Sequence, residues 1–210
     1  MIEGAQRIIV RTAAAALMLL VALPAYAVTR EQIKQCEGKD DVSLEQRIAS
    51  CNAVIDQSRS RALKAAAIKH RASAQRQMHG AHREKANALV ESGKASRAKG
   101  DMEGAIRAFD EAIKLDPKMV DAYFNRGLAL RDRGETDRAL ADLERTVQYD
   151  KRNSTALNTL SHIYYDKRDY DHAISTLNIA IKLNSNDALA YYNRGMAYRA
   201  KGEPDRAIPD

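Results

Sequence analysis

Histidine, cysteine and clustered lysine and arginine are the side chains here whose types and spacing could do chemistry. His79 and His82 stand three residues apart, which would set both imidazoles on one helical face. A metal centre needs three or four ligands, and no cysteine or carboxylate falls at a matching offset on that face. The pair therefore predicts no metal site, and His162 and His172, each isolated, read as surface or groove residues. The two cysteines form no C-x-x-C, so redox catalysis has no support. A nucleophile elbow, a Walker loop, a dinucleotide fingerprint, H-E-x-x-H and an EF-hand loop are all missing. Carboxylates are scattered as helix caps and helix partners, such as Asp142 and Glu144 near Arg138 and Arg145. The expectation is a non-enzyme with no catalytic residue, no cofactor and no metal.

The cysteines gain a different meaning from the start of the chain. Arg7 and Arg11 precede a twelve-residue apolar run, Thr12 to Leu23, and Pro24-Ala25-Tyr26-Ala27 adds a helix break and an A-x-A cleavage site. That pattern predicts a signal peptide over residues 1–27. An uncleaved membrane anchor fits less well, because a span needs about 20 apolar residues. An exported chain folds where disulfides persist. Cys36 and Cys51 would close a loop of about 16 residues, worth about 3 kcal/mol in the chain-entropy model. Cys51 falls on an apolar helical strip with Leu44, Ile48 and Ile55, and Cys36 falls in a polar, turn-like stretch. The expectation is a staple from the N-terminal segment onto the first helix; two unpaired thiols are the alternative.

Charge is concentrated in one place. Of a net +6, residues 57–100 carry eleven basic and two acidic groups, whereas residues 101–210 carry seventeen and nineteen. The excess comes from Arg59, Arg61, Lys64 and Lys69, followed by Arg71, Arg76, Arg83 and Lys85. This Ala-rich stretch reads as helical, with a break at Gly80. It is either a solvated helix face or a footprint for anionic lipid, glycan or an acidic partner. Export and the lack of an aromatic platform argue against nucleic acid.

The elements that would position these residues show themselves as repeats. Ala122-Tyr123-Phe124-Asn125-Arg126-Gly127 returns 68 residues later as Ala190-Tyr191-Tyr192-Asn193-Arg194-Gly195. Ala105, Ala139, Ala173 and Ala207 fall at one phase of a 34-residue period, and Phe109, Leu143 and Leu177 at another. Each copy reads as two amphipathic helices joined at Gly100-Asp101, Gly134 or Gly202, with Arg168 where the third copy would have glycine. A hairpin of this size cannot bury its apolar face alone, so successive copies must stack.

These residues resemble the tetratricopeptide repeat family. Leu89, Gly93, Ala105, Phe109 and Pro117 meet its pattern in the first copy, Tyr123, Gly127, Ala139 and Leu143 in the second. Leu157, Leu160, Tyr164, Ala173 and Leu177 meet it in the third, with Ser161 in place of glycine, and Tyr191, Gly195, Tyr198 and Ala207 begin a fourth. The Cys36 to Ile55 stretch also looks like the lead-in segment of exported bacterial proteins of this kind. The expected fold is all-α: a right-handed α-solenoid of helix-turn-helix, 34-residue repeats behind a disulfide-stapled helical segment. The expected divisions are 28–60 for that segment, 61–85 for a basic helical linker, 86–119, 120–153 and 154–187 for three repeats, and 188–210 for a partial fourth acting as a cap. Leu189, Tyr191, Tyr192, Met196 and Tyr198 on that last helix leave self-association open.

The resemblance also implies a concave groove lined by the first helix of each repeat, where a protein or peptide segment would bind. Its lining would be Asn87, Glu91 and Lys94, then Phe124, Asn125, Leu128 and Arg131. Asn158, Thr159, His162 and Tyr165 would follow, and Tyr192, Asn193, Met196 and Arg199 would end it. In this reading the asparagines bridge a peptide's N–H and C=O groups, and the aromatics and arginines anchor it. The family's carboxylate clamp for chaperone C-termini is not implied, since Val90, Lys94, Thr155 and Thr159 stand where it needs Lys, Asn, Lys and Arg. The setting implied is the envelope of a Gram-negative-type bacterium, in the periplasm or outside the cell.

Overall fold

Two capping boxes start the first two helices. Thr29 and Gln32 exchange side-chain to backbone hydrogen bonds ahead of α1, Arg30–Glu37, and Ser43 and Gln46 do the same ahead of α2, Leu44–Gln57. The computed structural model describes residues 28–207; the signal peptide expected over residues 1–27 lies outside them, as do Pro209 and Asp210. Every regular element among the described residues is a helix, and none is long and apolar enough to cross a membrane.

The chain divides into two compact units at Ala81/His82. In the first, the expected staple is present. Cys36 and Cys51 are disulfide-bonded and fully buried, with Val54 and Ala67 completing a small core against which Val28, Ile33 and Ile55 pack. Cys36 is placed differently from expectation. It lies in the last turn of α1, and the turn begins only at Gly38, whose φ of +73° ends the helix. Across that turn Arg47 Nε donates back to the Cys36 carbonyl at 3.2 Å.

The third helix, α3, runs unbroken over Arg61–Ala98, so the break expected at Gly80 does not occur. Gly80 is exposed and a side chain there would touch nothing within 4 Å. One solvated glycine costs a helix only about 1 kcal/mol, and the alanine, arginine, lysine and glutamine around it outweigh that.

In the second unit the end of α3 and six further full helices form a solenoid of hairpins. They are α4 Met102–Leu115, α5 Val120–Asp132, α6 Thr136–Tyr149, α7 Ser154–Asp166, α8 Tyr170–Leu183 and α9 Ala188–Lys201, with a single turn, α10 Pro204–Ala207, after them. Side chains of Asp101, Asn153, Asp169 and Asp187 cap four of these helices at their N-termini. The period-34 pair is the packing unit: Ala105/Phe109, Ala139/Leu143 and Ala173/Leu177 are all buried. Each pair faces a small residue on the preceding helix. A methyl on Gly93 would come within 2.5 Å of the Phe109 ring, while one on Gly127 would stand 3.1 Å from Leu143. The smaller knob of the later copies explains how Ser161 replaces glycine; it is buried and donates to the Asn158 carbonyl at 2.7 Å.

The hairpin turns repeat with equal fidelity. Gly100, Gly134 and Gly202 have φ of +82°, +84° and +88°, and Arg168, in the same register, is forced to +61°. A left-handed backbone costs a residue with a Cβ about 1–2 kcal/mol. Arg168→Gly is therefore expected to raise the urea stability of the repeats by about 0.5–1 kcal/mol after the entropy of the unfolded chain is counted. A stability that falls instead would mean that the Arg168 side chain contributes more than its backbone costs.

Candidate functional site

The first helix of each hairpin carries three ladders that run from repeat to repeat. One is Lys94, Leu128, His162, Met196; the second is Glu91, Asn125, Thr159, Asn193; the third is Arg97, Arg131, Tyr165, Arg199. Their chemistry changes along the stack, from ionic at α3 to aromatic and apolar at α9.

At the ionic end the charges neutralise each other. Lys94 Nζ bonds Glu91 at 2.8 Å, and Arg97 and Arg131 both clasp Asp132, at 2.6 and 3.0 Å. Burial pushes the Asp132 carboxyl up, but the two guanidinium hydrogen bonds outweigh it and hold the group below the usual carboxylate range. Lys94, Arg97, Met102 and Asp132 border a cleft of about 290 Å³. Asn87 is exposed on α3, one turn before Glu91.

Behind the ladders, Arg126 holds three helices together. It bonds Asp142 of α6 through two nitrogens at 2.7 Å each and Asp110 of α4 at 2.5 Å. The Asp142 hydrogen bonds raise the guanidinium above its ordinary range despite burial. Its repeat counterpart Arg194 reaches Asn178 at 2.6 Å, and both arginines stack over a tyrosine, Tyr123 and Tyr191.

At the far end, α7 and α9 enclose a cavity of about 120 Å³ lined by His162, Tyr165, Tyr192, Asn193 and Met196, with Ala173 and Leu177 of α8 as its floor. Asn193 is buried and its amide lies 3.2 Å from His162 Nε2. Tyr192 is 63% exposed at the rim. No group of three or more His, Cys, Asp or Glu suited to a metal occurs among the described residues.

Comparison with known proteins fits this geometry. A family model described as TPR repeat matches residues 93–130 and 162–202, and one described as tetratricopeptide repeat matches residues 121–151. The hairpins over residues 93–151 and 162–202 are tetratricopeptide repeats. No curated protein matches it. Among solved structures it is similar to the MamA protein, at 21% identity and a TM-score of 0.57, over 84% of this chain and 81% of that one. It is similar to the first tetratricopeptide domain of Spaghetti bound to an HSP90 peptide, at 18% identity and a TM-score of 0.55, over 57% of this chain and 95% of that one. It is also similar to the TPR2B domain of yeast Sti1 in complex with an Hsp70 peptide, at 25% identity and a TM-score of 0.51, over 57% and 98%.

In this tetratricopeptide repeat chain the asparagines do not stand ready in the way the sequence suggested. Asn125 donates to the Asp121 carbonyl of its own helix at 2.7 Å. Asn158 donates to Asp187 at 3.2 Å, stitching α7 to the cap of α9, and its Oδ1 is buried without a donor. Asn193 is spent on His162, and Thr159 bonds the Thr155 carbonyl at 2.8 Å. Two of the three amides, Asn158 and Asn193, thus bond from one repeat to the next. Phe124 and Leu128 are half-buried, with Phe124 packed on the core, and Arg199 is exposed on α9 beside Met196.

Proposed function

We propose that this protein is a non-catalytic scaffold that holds a segment of another protein against the first-helix face of its repeats, in the envelope of a bacterium that exports it. The observation carrying this reading is the cavity between α7 and α9. It has a volume suited to one apolar side chain, an aromatic rim at Tyr192, and a polar His162–Asn193 pair at its wall. Exposed aromatics beside a pocket are the usual energetic anchors of an interface. The peptide-bound domains of Spaghetti and Sti1 share this fold, which supports a peptide as the bound form. The ligand would be gripped by side-chain insertion rather than by its terminal carboxylate, because Val90 is buried and Thr159 is bonded to its own helix.

A random peptide library displayed on phage and selected on the chain from Val28 onward tests the reading. Selected peptides should share an apolar residue, and Tyr192→Ala should weaken them about 10–30-fold while Asn125→Ala changes little. Peptides insensitive to Tyr192→Ala and Met196→Ala would remove the groove assignment.

A further inference from the structure

The groove leaves unexplained the longest stretch without a negative charge among the described residues. Residues 57–83 contain no aspartate or glutamate. Within the first unit that stretch supplies Arg59, Arg61, Lys64, Lys69, Arg71 and Arg76. Among the described residues only Arg71 of these finds a side-chain partner, Asn52 Oδ1 at 2.9 Å. In the repeats, by contrast, Arg97, Arg126, Arg138, Lys167 and Lys201 each meet a carboxylate.

The helix sorts these cations. At 3.6 residues per turn, Arg61, Ala65, Ile68, Lys69, Ala72 and Arg76 fall in one sector of α3 about 100° wide, with the three charges about 11 Å apart along the axis. Ile68 lies at one edge of this sector, midway along the axis between Arg61 and Arg76, and is 47% exposed. No carboxylate interrupts the row, and no aromatic side chain accompanies it.

We propose that this face of α3 docks on an anionic lipid bilayer. Cations kept to one side of the helix with alanines between them match a plane of opposite charge, which needs no directional hydrogen bonds to attract them. Arg and Lys stems can lie along the acyl boundary while their heads stay among phosphates. Ile68 decides between a bilayer and a soluble polyanion. Only the bilayer offers an apolar phase to take it.

Flotation with vesicles tests this, using the chain from Val28 onward so that the apolar run at 12–23 cannot insert by itself. Each Lys or Arg near an anionic surface multiplies binding about fivefold. Binding to phosphatidylcholine vesicles with about 30% phosphatidylglycerol should therefore fall about a hundredfold in Arg61→Ala/Lys69→Ala/Arg76→Ala. Alanine keeps the helix, and circular dichroism checks it. Ile68→Ser should weaken binding several-fold without touching charge. Lys114→Ala/Lys118→Ala/Lys182→Ala, which removes as much charge from the repeats, should change binding little. Equal binding to neutral vesicles, an equal loss in the two triple variants, or vesicle binding indifferent to Ile68→Ser but abolished by polyglutamate would each overturn the proposal. The last result would mark an acidic protein as the partner.

Discussion

Replacing Arg126 by methionine is expected to lower the stability of the repeats by about 3–5 kcal/mol, the usual consequence of stranding a buried charge. Asp142 is 6% exposed and takes two of the guanidinium's hydrogen bonds, so removing Arg126 leaves its carboxylate in the interior without a counter-charge. Asp110 is more exposed and can turn to water, which keeps the loss from being larger. The second half of the experiment is Arg126→Met with Asp142→Leu. Taking both charges out of the interior should recover most of the loss, because a buried ion pair is costly to break and often cheap to replace. Urea unfolding of the two single variants and the double one closes the cycle. A loss below about 1 kcal/mol in Arg126→Met would mean that water screens the pair as it does at a surface.

The disulfide comes next in size. Cys36→Ser with Cys51→Ser should cost the first unit about 3 kcal/mol, since the bridge closes a separation of 15 residues. That unit has little else: besides the two half-cystines, its buried apolar side chains among the described residues are Val54, Ala67 and Ala74. A core so small rarely supplies more than a few kcal/mol, so the hairpin of α1 and α2 should lose most of its protection. Amide hydrogen exchange resolves the effect by segment. Backbone amides of Leu44–Gln57 should exchange at close to the unfolded rate, while those of α5 to α8 keep theirs. Unchanged protection in α2 would show that helix capping and side-chain packing suffice without the bridge.

The two functional experiments separate along the same line. Tyr192 and Met196 sit on α9 in the second unit, and Ile68 and the cation row sit on α3 in the first. A chain that selects peptides but ignores vesicles, or the reverse, would therefore assign each property to its own surface. Self-association through α9 concerns the same helix as the peptide pocket. Leu189 and Tyr192 are exposed there, whereas Tyr198 is buried against Ala173 and Ile174.

What the sequence determined by itself was everything that a repeated local rule imposes. A small residue followed four positions later by a large one, every 34 residues, dictates a hairpin stack whatever the partner, because each knob needs a gap on the helix before it. The glycine turns, and Arg168 at their missing member, follow from the same rule. The pairing of Cys36 with Cys51 was legible because the apolar strip at Leu44, Ile48 and Ile55 fixed the face on which Cys51 had to lie.

The tertiary structure decided matters that depend on the neighbour across the gap. Gly80 could have ended a helix, and only the sum of propensities on both sides kept α3 whole. Asn125, Asn158 and Asn193 all lie on the first helices of their hairpins, yet each amide is bonded to an acceptor or ring nitrogen of its own fold. Arg126 reads as one of many exposed arginines until Asp110 and Asp142 arrive from two other helices. A polar side chain satisfies whichever partner packing brings within 3 Å, and packing is a property of helices meeting, which no single helix carries in its sequence.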